Sequence, residues 1–381
     1  MIYRNYQVVA DVSDPIRKFA EHARDISLNW FDSKRITPLQ RMAAYYEQVA
    51  LLGFTHTRPS FNIASVVNAQ GKRVPVVEST SFRTPYCDLV RFCRDDAKDL
   101  PKLLLVAPMS GHFATLLRGT VQTLVQDHEV YVTDWRNIRD IPMSEGLFGL
   151  DEYIEHIIWF MQHLGPNAHL MGVCQPTVAC LAATAVLAED RSDCQPASLT
   201  LMAGPIDTRV NPTGVNELAV SKPIEWFESH LIGMVPLHFK GVGRRVYPGF
   251  MQLMAFLNMN IERHQQSFKT LYEHRVNGED EKADVIRDFY KEYFAIMDLS
   301  GPFYLETVQQ VFQEHALPAG KMTYRDRPLN LQAIRKTFLL TVEGERDDIC
   351  GMGQTLAAQD LCSMLPAYRK THHLQSGVGH Y

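Results

Sequence analysis

Gly172-Val173-Cys174-Gln175-Pro176 sets a thiol between an apolar run, residues 168–173, and a small-residue stretch, residues 177–188. A nucleophile on a sharp strand-to-helix turn exposes one reactive atom at the top of a parallel sheet. The helix that follows directs its unsatisfied N–H groups at the turn, which favours a thiolate there. Gly172 would let neighbouring backbone pass close, and Ala179, Ala182, Ala183 and Ala185 would let the helix lie near its strand. The pattern departs from G-x-S-x-G at two places: cysteine replaces serine, and Pro176 replaces the second glycine. Proline is acceptable in a first helical turn, where no intrahelical N–H bond is lost. Taken alone, the five residues fit a small buried core cysteine equally well.

A cysteine nucleophile needs a base, and the base needs a group to orient it. In a sheet of this kind the chain order is nucleophile, acid, histidine. Glu343-Gly344-Glu345-Arg346-Asp347-Asp348 follows an apolar run at 338–342, and Gly377-Val378-Gly379-His380 follows a strand-like segment at 372–374. Cys174, Asp347 and His380 therefore stand in the required order, each after a strand. Asp347 is preferred as the acid for its glycine-turn context. Asp207, after the run ending at Ala203, is the rival, while Glu345 and Asp348 read as solvated loop carboxylates. An oxyanion would rest on the backbone N–H of Gln175 and on a second donor from Pro108-Met109-Ser110-Gly111-His112. Met109 and Ser110 both remain open for that second role. His156, His163, His169, His372 and His373 lack metal-ligand spacing and read as surface or satisfied core residues.

These groups need a sheet to carry them. Apolar runs at 74–77, 89–92, 103–107, 130–133, 168–173, 199–203 and 338–342 alternate with helical stretches near 114–125 and 150–164. Such alternation indicates an α/β fold, a mostly parallel sheet covered by helices on both faces. Ligands then sit outside the carboxyl ends of the strands, where each motif falls. Residues 1 to about 65 read as helical, with starts at Asp14-Pro15 and Thr37-Pro38 and apolar faces from Leu28, Trp30, Tyr45, Tyr46 and Leu51. From 210 to about 330 the alternation breaks into helices rich in Met and Phe (Phe250, Met251, Met254, Phe256, Met259, Phe268), with a polar loop expected at 277–284. The expected organisation is an N-terminal helical segment over 1–73, a core over 74–209 and 331–381, and an inserted helical cap over 210–330. The Met/Phe stripe is read as the cap's own core.

At 381 residues the chain can bury a core plus an insertion. A formal net charge of −5, with no dense Lys/Arg run, argues against nucleic acid as a partner. The seven cysteines show no C-x-x-C pair and no zinc spacing, so reduced thiols in the cytoplasm are expected, with no metal and no cofactor. No signal peptide or membrane span is expected, and the oligomeric state is left open.

Together the residues resemble a known family, the intracellular polyhydroxyalkanoate (polyhydroxybutyrate) depolymerases. The resemblance is carried by Gly172–Pro176, by Leu201-Met-Ala-Gly-Pro-Ile-Asp-Thr-Arg209 with Asn211-Pro-Thr213, by Gly301-Pro-Phe-Tyr-Leu-Glu306, by Glu343-Gly-Glu-Arg-Asp-Asp-Ile349, and by Gly379-His-Tyr381. Asp134-Trp-Arg-Asn137 is similar to a segment of the polyhydroxyalkanoate synthases. The resemblance implies an α/β-hydrolase core, a cytoplasmic enzyme on polyester storage granules, and hydrolysis of amorphous short-chain polyester. In it Cys174 would be the nucleophile, His380 the base and Asp347 the acid. Three rival expectations stand beside it. One is a synthase-like acyltransferase, against which Pro176 and Asp348 replace the synthases' glycine and histidine. Another is a non-catalytic granule-binding protein, since the family usually continues past Gly-His-Tyr into a further helix and this chain stops at Tyr381. The third is a general cysteine-type esterase or thioesterase.

Overall fold

The computed structural model describes residues 2–29, 37–96 and 99–380. Among them is a nine-stranded sheet: β1 (Ser65–Val67), β2 (Arg73–Arg83), β3 (Cys87–Arg94), β4 (Lys102–Val106), β5 (Glu129–Trp135), β6 (His169–Val173), β7 (Ser198–Met202), β8 (Phe338–Gly344) and β9 (Lys370–Gln375), in spatial order β1-β2-β3-β5-β4-β6-β7-β8-β9. The β1–β2, β2–β3 and β3–β5 pairs are antiparallel. From β5 to β9 every pair is parallel. Strands covered on both faces are continuously apolar, and Leu104, Leu105 and Val106 of β4 are fully buried. This is the α/β-hydrolase arrangement that the resemblance implied.

Helices α3 (Arg118–Leu124), α4 (Leu150–Leu164) and α5 (Thr177–Glu189) link the central strands, and α12 (Ala357–Leu361) links β8 to β9. Every residue of α5 from 177 to 188 is buried. A helix apolar all round belongs inside a protein, and α5 packs between α4 and strands β6 and β7. Its alanines allow that crowding.

Between β7 and β8 lie α6 (Gly214–Val220), α7 (Ile224–Leu231), α8 (Gly249–Met259), α9 (Ile261–Asn277), α10 (Asp280–Tyr293) and α11 (Gly301–Thr307). Leu253, Phe256, Leu271, Tyr290 and Phe294 form a second apolar cluster there, with Phe250 and Phe268 packed against it. Met254 and Met259 stay 44% and 41% exposed, so the Met/Phe stripe is core only in part. The expected polar loop at 277–284 is a two-residue turn instead. Gly278 takes the left-handed conformation (φ +74°) and ends α9, and α10 begins at Asp280. The acidic residues beyond the turn serve α9 itself: Arg275 binds Asp280 and Asp284, each at 2.7 Å.

The N-terminal residues form α1 (Ile2–Asn29) and α2 (Thr37–Leu51), followed by irregular chain and then β1, so helix ends at Leu51 rather than near 65. Pro15 lies inside α1, where a start was expected. The turns before it are held by tertiary contacts: Tyr3 donates to the Asp298 carboxylate and Tyr6 pairs with His56. Both helices pack on the segment between β7 and β8, chiefly α2 against α9. There Glu47, 1% exposed, receives Arg275 at 2.8 Å. Leu51 joins the second cluster, whereas Tyr45 is exposed. Of the other expected apolar contacts, Trp30 and the side chain of Leu28 fall outside the described residues.

After β7 the chain turns through Ala203 (φ +49°) into Gly204. A Cβ on Gly204 would lie 1.9 Å from Thr177 Oγ1 and 2.4 Å from Thr177 Cβ, at the start of α5. Overpacking of this kind costs about 1–3 kcal/mol. Gly204→Ala is therefore expected to lower the urea midpoint clearly. Gly214→Ala, with nothing within 4 Å of the added atom, should leave it nearly unchanged. Equal midpoints for the two variants would contradict this packing.

Candidate active site

Cys174 follows β6 with φ +66°, a conformation that side chains rarely adopt. Its neighbours hold it there. The Cys174 N–H donates to the Met202 carbonyl at 2.7 Å, and its own carbonyl accepts from the Thr177 N–H at 3.2 Å and the Thr177 hydroxyl at 2.9 Å. Gly172 does what the sequence suggested: a Cβ there would stand 2.9 Å from Cys180 Sγ and 3.3 Å from Thr177 Cα. Pro176, at φ −68° and ψ −8°, already has helical geometry.

Two strands away, β8 ends at Gly344 opposite Gln375, the last residue of β9. The two loops beyond are laced together. Glu345 N–H donates to Gln375 O at 3.0 Å and Arg346 N–H to Val378 O at 2.9 Å. The Glu345 carboxylate accepts from the Ser376 hydroxyl at 2.7 Å and the Gly377 N–H at 2.6 Å. Glu345 is thus exposed, as expected, yet it fastens the loop carrying His380. Asp347 Oδ1 accepts two backbone N–H groups, from Ile349 at 2.9 Å and Cys350 at 2.8 Å. Its Oδ2 meets His380 Nδ1 at 2.8 Å, with the side chains 1% and 6% exposed.

His380 also hydrogen-bonds Cys174. Burial acts to lower the imidazole pKa, but the Cys174 sulfur and the Asp347 carboxylate outweigh it and raise the value to about 10. The proton is thereby held on the imidazole, which lies between the Cys174 sulfur and the Asp347 carboxylate. Nδ1 being committed to Asp347, Nε2 is the ring nitrogen left for Cys174. The structure thus brings Cys174, Asp347 and His380 together. The rival acid Asp207 is engaged elsewhere: Arg209 holds both its oxygens, at 2.8 and 2.7 Å, and lowers its pKa.

The loop after β4 reaches the same place. Ala107 is fixed by the Thr133 hydroxyl, which accepts its N–H at 2.9 Å, and by Trp135 Nε1, which donates to its carbonyl at 3.0 Å. Met109 N–H then donates to Gln175 Oε1 at 3.3 Å. Met109, rather than Ser110, is the loop residue hydrogen-bonded to Gln175.

Several supporting residues carried no local signal in the sequence. Thr177 and Gly204 pack the back of the cysteine turn. Buried Glu343 accepts the N–H groups of Gly353, Thr355 and Leu356, at 2.8, 2.8 and 2.9 Å, and so anchors the chain beyond the acid loop. Asp348, read as a solvated carboxylate, accepts from Asn260 Nδ2 at 2.9 Å at the α8–α9 junction. The other expected bystanders are satisfied: His156 pairs with Thr84 and the Glu152 carbonyl, His163 with Ser81, His169 with Ser198, His372 with Thr341 and His373 with Gln375. All seven cysteines are free, and burial raises the pKa of Cys87, Cys180, Cys350 and Cys362. Among the described residues no cluster has the makings of a metal site, and no helix is long and apolar enough to cross a membrane.

Among solved structures the chain is similar to a thioesterase domain from the curacin biosynthetic pathway (12% identity, 80% of this chain and 94% of that one, TM-score 0.41). It is also similar to 2-hydroxy-6-oxo-6-phenylhexa-2,4-dienoate hydrolase from Rhodococcus sp. strain RHA1 (13%, 81% and 92%, TM-score 0.40) and to a thermophilic esterase from Thermogutta terrifontis (16%, 80% and 91%, TM-score 0.39). No curated protein matches the sequence. Residues 203–381, which carry Asp347 and His380, match the family model described as PHB de-polymerase C-terminus. The C-terminal part, just under half of the chain, is thus similar to the PHB depolymerase family, and the sheet with its helices has the α/β-hydrolase arrangement.

Proposed function

We propose that the chain hydrolyses ester bonds of amorphous short-chain polyhydroxyalkanoate through Cys174, His380 and Asp347, mobilising storage granules in the cytoplasm. The observation that carries this reading is the meeting of His380 with both Cys174 and Asp347, in a chain whose C-terminal part matches the depolymerase model. In this reading residues 74–209 and 331–381 are the catalytic core, 210–330 the cap over it, and 1–73 a segment packed alongside.

In this reading His380 takes the Cys174 thiol proton, giving a thiolate–imidazolium pair. The Cys174 thiolate attacks the ester carbonyl carbon, and the carbonyl electron pair moves onto oxygen. That oxyanion accepts from the N–H groups of Gln175 and Met109. Collapse breaks the ester C–O bond, and the departing alkoxide takes the His380 proton, leaving a thioacyl-enzyme and a neutral imidazole. Water then attacks the thioester while His380 accepts its proton. Expulsion of the thiolate releases the acid and restores the pair. Asp347 keeps the ring oriented and its charge compensated throughout.

Cys174→Ala should lower product release from amorphous polyhydroxybutyrate by about a thousandfold or more, with circular dichroism unchanged. Retention of most activity would remove Cys174 as the nucleophile.

The raised His380 pKa sets a pH window. Its folded value, about 10, lies above the ordinary 6.5. The proton it holds therefore contributes stability in full below about 6.5, and that contribution is lost as pH rises through about 10. The wild-type urea midpoint should exceed that of His380→Gln at pH 6.5, and the gap should close toward pH 10. The alkaline limb of the rate profile should fall near the same value, and a gap that widens with pH would overturn the assignment.

Gln175 Oε1 already occupies the Met109 N–H that the oxyanion would use, so an incoming carbonyl must displace it. Gln175→Ala keeps the backbone donor and removes this competitor. KM for a soluble short-chain ester should fall severalfold, with kcat within about threefold. A large loss of kcat at unchanged KM would give the side chain a direct part in the transition state instead.

A further inference from the structure

Helix α1 carries two interleaved repeats with alternating steps of three and four residues. One repeat, including Tyr6, Ala10, Ser13, Arg17, Ala20 and Arg24, is buried or half-buried against the rest of the chain. It is mostly small or polar, and Arg17 spends its guanidinium on the carbonyls of Ala50 and Phe54. The other repeat is Val9, Val12, Ile16, Phe19, Ala23 and Ile26. Its five large side chains are 57–67% exposed, and Val8 beside them is 58% exposed. The more apolar side of the helix is thus the one that faces water.

We infer that this seam is an interface with α1 of a second copy of the chain. Apolar residues at alternating steps of three and four make the narrow seam that another helix fills. The spacing, 3-4-3-4-3, reads the same in both directions. A two-fold axis across an antiparallel pair therefore sets Ile16 against Phe19, Val12 against Ala23 and Val9 against Ile26, with small opposite large at Ala23. An isologous contact requires that self-complementarity. The exposed area of the six large side chains, Val8 included, is roughly 700 Å², above the few hundred of a monomer's ordinary patch and near the ~800 Å² each partner gives a standard interface. The charges on the remaining surface, Asp11, Asp14, Lys18, Glu21 and Asp25, are mixed and mainly acidic. A helix lying on an anionic lipid surface would be basic there. Pro15 flanks the seam without interrupting it.

Sedimentation velocity of the full chain at about 1–50 µM tests this. The expected species is a dimer of the 43.4 kDa chain. Val12→Glu and Phe19→Glu, at exposed positions, should each give monomer with unchanged circular dichroism, and the milder Val12→Ser should weaken the dimer at least tenfold. Val285→Glu, at an equally open position on α10, should leave the dimer intact. A wild-type chain that is monomeric throughout, or a dimer that survives both glutamates, overturns the inference. So does a monomer that pellets with amorphous polyester particles and loses that binding in Phe19→Glu, which would assign the seam to the polymer surface.

Discussion

The left-handed backbone of Cys174 is the constraint around which the site is built. A side chain at φ +66° persists only where the surroundings over-determine it. Here the Met202 carbonyl holds one side of the turn and the Thr177 N–H and hydroxyl hold the other. That grip needs α5 to begin close against β6 and β7. Gly172 and Gly204 leave the room, and the buried alanines of α5 keep it.

The other half of the site depends on strand register. Gly344 and Gln375 end their strands side by side, so the loops that follow start together and can be tied by short hydrogen bonds. Asp347 spends one oxygen on two backbone N–H groups and turns the other to His380. The carboxylate is thereby fixed before the histidine arrives, and the imidazole is positioned by a rigid partner. Burying an imidazolium is costly alone, and the sulfur and the carboxylate on either side offset that cost.

Much of this arrangement was legible in the sequence. Central strands announce themselves as unbroken apolar runs, and the runs at 103–107, 168–173, 199–203 and 338–342 fall on β4, β6, β7 and β8 to within a residue or two. Helix α4 matches its expected bounds at 150–164. Cys174, Asp347 and His380 each follow a strand in a fixed chain order, and the fold brings their side chains together. What was not legible depends on partners distant in sequence. Pro15 looks like a helix start until Tyr3 and Tyr6 find Asp298 and His56. The acidic stretch after Asn277 looks like a loop until Arg275 collects its carboxylates with Glu47. The packing role of Gly204 shows only once Thr177 is placed beside it. The two exposed methionines of α8 differ from their buried neighbours only in which way the helix faces.

The bond between Asn260 and Asp348 has one further consequence. Asn260 is the joint between α8 and α9, and Asp348 is covalently next to Asp347. Helix α9 is in turn gripped by the N-terminal hairpin through Arg275 and Glu47. A line of polar contacts therefore runs from α2 through α9 to the residue next to Asp347. Helix α9 is thus pinned near both ends, by Asp348 where it begins and by Glu47 near where it stops.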